Sequence, residues 1–356
     1  MLYKLWMFAH ESPATIVWYL SQLDTIPVCV GTALVVVVVV VAIAGPLTHN
    51  GACCGVGGYC GYRDTYCGAG CVSNCGATAQ CGKDAAVFNT ICPLNVCCRE
   101  YGFCGTTEDF YSTRCQSNCV LDPKPPDGAA SVDLLSNKVI GYYESWMARK
   151  ACHKVAPTDL LLDALTHLFL DTTNLKSIKE DIKVFVSVSG WTFSDNDTAT
   201  QLVFGDIAAS TINRQKFANN VVHFMKKYGF DSIDLDLEYP GASDRGGNPE
   251  DTVNYVLLLK TICETFDASG SDFGLTFTAP SSYWYLRWFY LPGMLKYADW
   301  INLMSYDLHG VWDAINPIGS IVQAHTNLTE IKLAASLFWR ANVPPAKLVI
   351  GFGFYG

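Results

Sequence analysis

The sequence is short of basic charge. Its 24 Lys and Arg face 33 Asp and Glu, for a formal net charge of -9 and a pI near 5.2. Nothing in it resembles a Lys/Arg-rich groove, which disfavours nucleic acid as a partner, whereas a neutral polymer meets no such repulsion. A glycine-rich phosphate loop is absent, and the loop Gly241 to Gly247 has no metal-ligand spacing, so neither cofactor nor metal is expected. Histidine is missing from the densest run of cysteine. Thirteen of the 16 cysteines lie between Cys53 and Cys119. The doublets Cys53-Cys54 and Cys97-Cys98 among many glycines fit a disulfide framework better than a zinc ribbon, and so an oxidising compartment.

At 356 residues, half of them hydrophobic, the chain is too long for one typical domain and can bury a large core. Residues Ile26 to Gly45 form an almost unbroken apolar run, and about 20 such residues suffice to span a bilayer. The run ends in Ala42-Ile43-Ala44, a cleavage-like pattern, but Lys4 set against Glu11 and Asp24 makes a poor n-region. Residues 1–45 are therefore a signal, a signal anchor or the product of an incorrect gene start. Each version routes the chain to the secretory pathway: secreted, extracellular or cell wall, with a membrane-anchored form as the alternative.

Residues 120–137 contain Asp122-Pro123-Lys124-Pro125-Pro126-Asp127-Gly128, a stiff Pro-rich linker between small modules and a longer C-terminal domain. From 138 to 356 strand-like apolar runs alternate with helical ones. The strands are expected at Val139–Tyr143, Thr166–Leu170, Val184–Val188, Ser232–Leu237, Leu275–Thr278, Trp300–Met304 and Leu348–Gly351. Amphipathic helices are expected at Ile212–Lys227 and Val253–Phe266. Repeated strand-helix units point to an α/β fold, a (β/α)8 TIM barrel with its site at the C-terminal rim of the strands. Seven strands are present, so the barrel is expected to be C-terminally truncated, with two unpaired edges.

The most improbable stretch is Phe230 to Pro240, where acids interrupt what should be a buried strand. Ile233, Leu235 and Leu237 alternate with Asp234, Asp236 and Glu238, so period 2 puts the three carboxylates on one face. Same-face neighbours sit roughly 7 Å apart, close enough for one carboxyl to be kept protonated by the next. A half-exposed edge strand with solvated acids is the plainer alternative.

Asp231, Asp234, Asp236 and Glu238 match the D-x-x-D-x-D-x-E signature of family 18 glycoside hydrolases, the chitinases. The likeness covers most of Lys138 to Gly356 and resembles fungal chitinases of the killer-toxin-like group. Ser232 stands where the family commonly has Gly, Leu237 where it often has an aromatic residue, and Ser189 departs from its S-x-G-G motif. The resemblance implies hydrolysis of β-1,4 links in chitin or chitooligosaccharides by a monomer, through a substrate-assisted retaining mechanism. Glu238 would be general acid and base, Asp236 would orient the acetamido nitrogen, and Asp234 would share a proton with Asp236. Asp231 would hold the strand entry. Tyr306, in Met304-Ser305-Tyr306-Asp307, would bind the acetamido carbonyl, and Asp307 the sugar. Tyr142, Trp191 and Trp284 are candidate sugar platforms, although each aromatic of the set around Trp284 could equally be core. A chain ending at Phe354-Tyr355-Gly356 lacks the family's eighth strand, and the excursion after the second strand is reduced to Asp171–Asp181. A non-catalytic chitin-binding protein and a toxin-delivery subunit are therefore the rival readings.

Residues 51–75 and 81–119 resemble hevein-type chitin-binding modules, the first of them partial. By that likeness Cys53 pairs with Cys67, Cys71 with Cys75, Cys81 with Cys98, Cys92 with Cys104 and Cys115 with Cys119. Cys97 would lack its partner, because Tyr111 occupies that position. Cys54 and Cys60 would pair with each other or stay free. Tyr101, Phe103 and Phe110 of the second module, and Tyr59 and Tyr66 of the first, are the matching sugar-stacking rings; covering a tiny core is the alternative for each.

Overall fold

A computed structural model describes residues 51–111, 114–126, 138–143, 155–156, 159–169, 175–315 and 319–355. The segment 1–45 and most of the expected linker lie outside them. Among the described residues no helix is long and apolar enough to cross a membrane. The chain divides into two compact units, Met1–Asn89 and Thr90–Gly356.

The first unit carries a three-stranded antiparallel sheet in which Cys53–Gly55 pairs with both Cys60–Gly61 and Cys71–Ser73. Strands this short offer little apolar side chain to bury beyond Cys53 and Cys54, so disulfides do the holding: Cys53–Cys67, Cys71–Cys75 and Cys54–Cys60 are bonded. The ring of Tyr66 lies against Gly61, where any Cβ would come within 2.4 Å of it.

The second unit opens with the same device. Cys97–Arg99 pairs with Cys104–Gly105 and Cys115–Ser117, Cys92–Cys104 and Cys115–Cys119 are bonded, and the Phe110 ring covers Gly105. Cys81 and Cys98 are both disulfide-bonded. Cys97 is a free, buried thiol, and Tyr111, in the place of its missing partner, accepts a 3.2 Å hydrogen bond from the Cys97 N–H. Arg340 donates to the carbonyls of Val120 and Leu121 at 2.7 and 2.8 Å and lies 4.9 Å over the Tyr111 ring. Asn95 donates back to the Arg340 carbonyl at 2.8 Å.

Beyond this module seven strands form one all-parallel sheet in sequence order. They are β1 (Ile140–Tyr142), β2 (His167–Phe169), β3 (Lys183–Ser189), β4 (Ser232–Asp236), β5 (Gly274–Pro280), β6 (Trp300–Met304) and β7 (Leu348–Ile350). Among the described residues β1 and β7 stand at the two ends of the strand order. Between the strands run α1 (Val203–Ala209), α2 (Thr211–Tyr228), α3 (Asp251–Ala268) and α4 (Leu328–Arg340). Where a second helix would stand is one turn, Leu175–Ile178. Ser210 caps α2 by accepting from the Asn213 N–H, and left-handed Gly229 ends it. Asn327 accepts from the Thr329 N–H as the cap of α4.

The two faces of β4 divide as their chemistry requires. Ile233, Leu235 and Leu237 point outward and are at most 6% exposed, each contributing about 1.5–3 kcal/mol by burial. Val221 and Met225 of α2 and Tyr255, Leu258 and Ile262 of α3 are buried as well. The inner residues of β1, β3, β6 and β7 begin with an apolar cluster of Ile140, Phe185, Trp300 and Val349, with His167 of β2 edge-on to Phe185 and Trp300. Burial, helped by Lys138 and Lys183, lowers the His167 pKa to about 4, so its ring is neutral there. Above this floor the inner positions turn polar.

Candidate active site

Asp231 sits at the foot of β4. Its Oδ2 accepts from the Val184 N–H at 2.7 Å and its Oδ1 pairs with Lys176 at 2.6 Å, so it ties β4 to β3. Ser232, the departure from glycine, accepts from the Gly274 N–H at 3.2 Å. One pleat higher is Asp234, with no exposure at all. Parallel register places Ser187 of β3 and Thr276 of β5 directly beside it.

Four side chains from four other strands converge on that carboxylate. Thr276 Oγ1 and Asn302 Nδ2 donate to Oδ1 at 2.6 and 3.0 Å, and Ser187 Oγ and Tyr142 Oη donate to Oδ2 at 3.2 Å each. The Asn302 oxygen is occupied by the Trp300 indole N–H at 2.9 Å, which turns its amide N–H toward Asp234. Burial raises the Asp234 pKa, and these four donors oppose the rise.

Asp236 ends β4, and Thr278 Oγ1 donates a short hydrogen bond to its Oδ1. Burial first, then the neighbouring Glu238 charge, pushes its pKa up to about 8. Glu238 lies two residues past the last strand residue, beyond the strand end expected from sequence, and is 7% exposed. Burial raises its pKa too, while a hydrogen bond from Tyr239, the Arg245 charge and the Trp191 backbone N–H pull the other way. Two carboxyls held high side by side can keep a proton between them at neutral pH.

Tyr306 follows β6. Burial, and then the charge of Asp236 with a lesser influence of Glu238, raises its pKa, so its hydroxyl lies within the field of both acids. Asp307 accepts from the Tyr355 hydroxyl at 3.0 Å. Tyr142 is 53% exposed, and its hydroxyl is tied to Asp234. Trp191 is 40% exposed, with the Arg245 guanidinium 3.8 Å over its ring. Trp284 is 49% exposed and its ring is covered by Arg287 at 4.0 Å. Its neighbour Tyr285 stacks on Tyr239 at 4.3 Å instead. In the modules Tyr59 is 76% exposed and Tyr101 39%, whereas Phe103, Phe110 and Tyr66 are half-buried.

Sequence reasoning missed Thr276, Thr278, Asn302, Ser187, Arg245 and Asp195. The alternation Leu275-Thr276-Phe277-Thr278 carried a signal for the threonines: polar residues at period 2 in a strand otherwise apolar.

A family model described as Glycosyl hydrolases family 18 matches residues 112–356, and one described as Chitin recognition protein matches 80–119. Chitinase A1 of Niallia circulans is 38% identical over 199 residues, 51% of this chain and 28% of that protein. The killer toxin subunits alpha/beta of Kluyveromyces lactis are 30% identical over 321 residues, 86% of this chain and 24% of that protein. The chain thus spans about a quarter of the length of these two relatives. The solved structure of chitinase ChiA74 from Bacillus thuringiensis superposes with a TM-score of 0.51 at 25% identity, covering 60% of this chain and 47% of that one. With its family model matched over well more than half of the residues, the chain belongs to glycosyl hydrolase family 18.

Proposed function

We propose that this chain hydrolyses the β-1,4 links between N-acetylglucosamine units of chitin and chitooligosaccharides, with retention of configuration. The observation that carries this reading is the row Asp234, Asp236 and Glu238 rising along β4 to the C-terminal end of a parallel sheet, with Tyr306 in the field of the upper two. Retaining glycosidases generally use an acid and a carboxylate nucleophile; here the sugar's own acetamido group replaces the nucleophile.

In this mechanism Glu238, whose pKa burial raises, gives its proton to the glycosidic oxygen as the C1–O bond breaks. The acetamido carbonyl oxygen bonds to C1 and closes an oxazolinium ring. Asp236 accepts from the acetamido N–H and balances the positive charge, Tyr306 donates to the acetamido oxygen, and Asp234 shares a proton with Asp236. Glu238, now a carboxylate, takes a proton from water as the water oxygen bonds to C1 and reopens the ring. Tyr142, Trp191, Asp307 and Trp284 contact the sugars. The rings of Tyr101, Phe103 and Phe110 hold the protein, a secreted monomer, on the polymer. Chitohexaose digestion followed by proton NMR tests the reading: the new reducing ends appear first as the β-anomer, and α-anomer first would overturn it.

A second reading is a chitin-docking subunit without turnover. The likeness to killer toxin subunits over 86% of the chain favours it. Tight binding of chitohexaose with no cleavage would select it.

A further inference from the structure

Arg245 is a buried cation that neither the acid row nor the strand layers require. Its side chain is 5% exposed, and Nη1 pairs at 2.8 Å with Asp195, whose side chain is 11% exposed. The same guanidinium donates from Nη2 to the Trp191 carbonyl at 2.6 Å and from Nε to the Glu238 carbonyl at 3.2 Å. Its plane covers the Trp191 ring at 3.8 Å. One side chain, carried on the turn Ser243–Arg245, therefore clamps the segment after β3 to the one after β4.

Stability does not account for the pair. Desolvating two charges commonly costs as much as their attraction returns, and Asp195 Oδ2 is buried with no hydrogen-bond partner, a group that costs about 1–3 kcal/mol. What distinguishes the pair is its place beside Glu238.

We propose that Arg245 and Asp195 are a positioning pair for the proton donor: the guanidinium fixes the Glu238 main chain and the Trp191 ring in one register, and the two opposed charges act on the acid. The inference rests on the reading of Glu238 as donor. The signs are set by charge: Arg245 favours the Glu238 carboxylate and Asp195 disfavours it. The other groups facing Glu238 are Asp236 at the end of β4, Tyr239, the Trp191 N–H, Tyr285 and Tyr306; substitution of Arg245 or Asp195 removes none of them.

The test pairs a carbon-13 titration of the Glu238 carboxyl, assigned by its loss in Glu238→Gln, with the pH dependence of kcat/KM on a fluorogenic chitobioside. Arg245→Met is expected to move the Glu238 midpoint and the basic limb up by about one pH unit, and Asp195→Asn to move both down. Arg245→Lys keeps the charge and loses the fork, so its midpoint stays near the parent value while KM and Trp191 fluorescence change. Shifts of the same sign in Arg245→Met and Asp195→Asn, or no shift in either, overturn the proposal. If Arg245→Met does not fold, near-isosteric Asp195→Asn carries the sign test. Opposed midpoint shifts in a chain with no turnover would leave the pair standing and refute the hydrolase reading; turnover without midpoint shifts would do the reverse.

Discussion

Tyr142 on the first strand and Asp234 on the fourth are joined across the inside of the sheet by a 3.2 Å hydrogen bond from the phenol to Oδ2. A residue expected to be a sugar platform is thus also one of four donors to a carboxylate shut off from solvent. Hydrogen bonds to charged groups contribute about 1.5–3 kcal/mol, and half-exposure of Tyr142 reduces that. Tyr142→Phe should lower the urea midpoint by the equivalent of about 1 kcal/mol at unchanged m. An unchanged midpoint would remove Tyr142 from the carboxylate layer.

Asp236 links the site to stability. A carboxyl raised to about 8 keeps a proton in the native chain that the unfolded chain releases near pH 4. The unfolded state then binds fewer protons than the native one between those values, so stability falls as pH rises through that window. Asp236→Asn cannot ionise and escapes that loss. Scanning calorimetry should find variant and parent melting together near pH 4, with the variant a few degrees higher at pH 7.5. A parent that gains on the variant as pH rises would show Asp236 ionised more readily in the fold than outside it.

Ser189 occupies a backbone conformation that suits glycine. Its φ is +91°, and its buried hydroxyl has no hydrogen-bond partner. Replacing it removes a strained Cβ and an orphaned oxygen, each costing on the order of 1–3 kcal/mol, against a smaller entropy cost of glycine in the unfolded chain. Ser189→Gly is expected to stabilise the chain by about 1–2 kcal/mol in urea titration. Destabilisation would mean that the serine has a partner that this geometry does not hold.

Tyr111 offers a test of the second module. Cys97 and residue 111 are as far apart in sequence as the bonded pair Cys53–Cys67, separation 14. Tyr111→Cys should bridge to Cys97 under oxidising conditions, hide that thiol from alkylation, and add about 3 kcal/mol. Continued alkylation of Cys97 in the unfolded oxidised variant would contradict it.

Much of this was legible in the residues themselves. The seven strands and the two long helices fall where period 2 and period 3.6 put them, because each apolar stripe has a partner layer to bury against. The acid row was visible for the same reason, since Asp234 and Asp236 break a stripe that Ile233 and Leu235 otherwise complete. Asn302 and Thr276 were not legible as ligands of Asp234. Their role depends on parallel register between strands far apart in sequence, which no local pattern encodes. Arg245 was hidden differently, in a loop without metal-ligand spacing, where nothing in the neighbouring residues foretells burial of a guanidinium. The departure at Ser189 was visible, but its cost appeared only with the backbone angle.

The central claim is that Glu238 supplies the proton. Glu238→Gln keeps shape and removes the acid, so kcat/KM on a soluble chitooligosaccharide should fall about a thousandfold while calorimetric affinity stays near that of the parent. Undiminished turnover in Glu238→Gln would contradict the account.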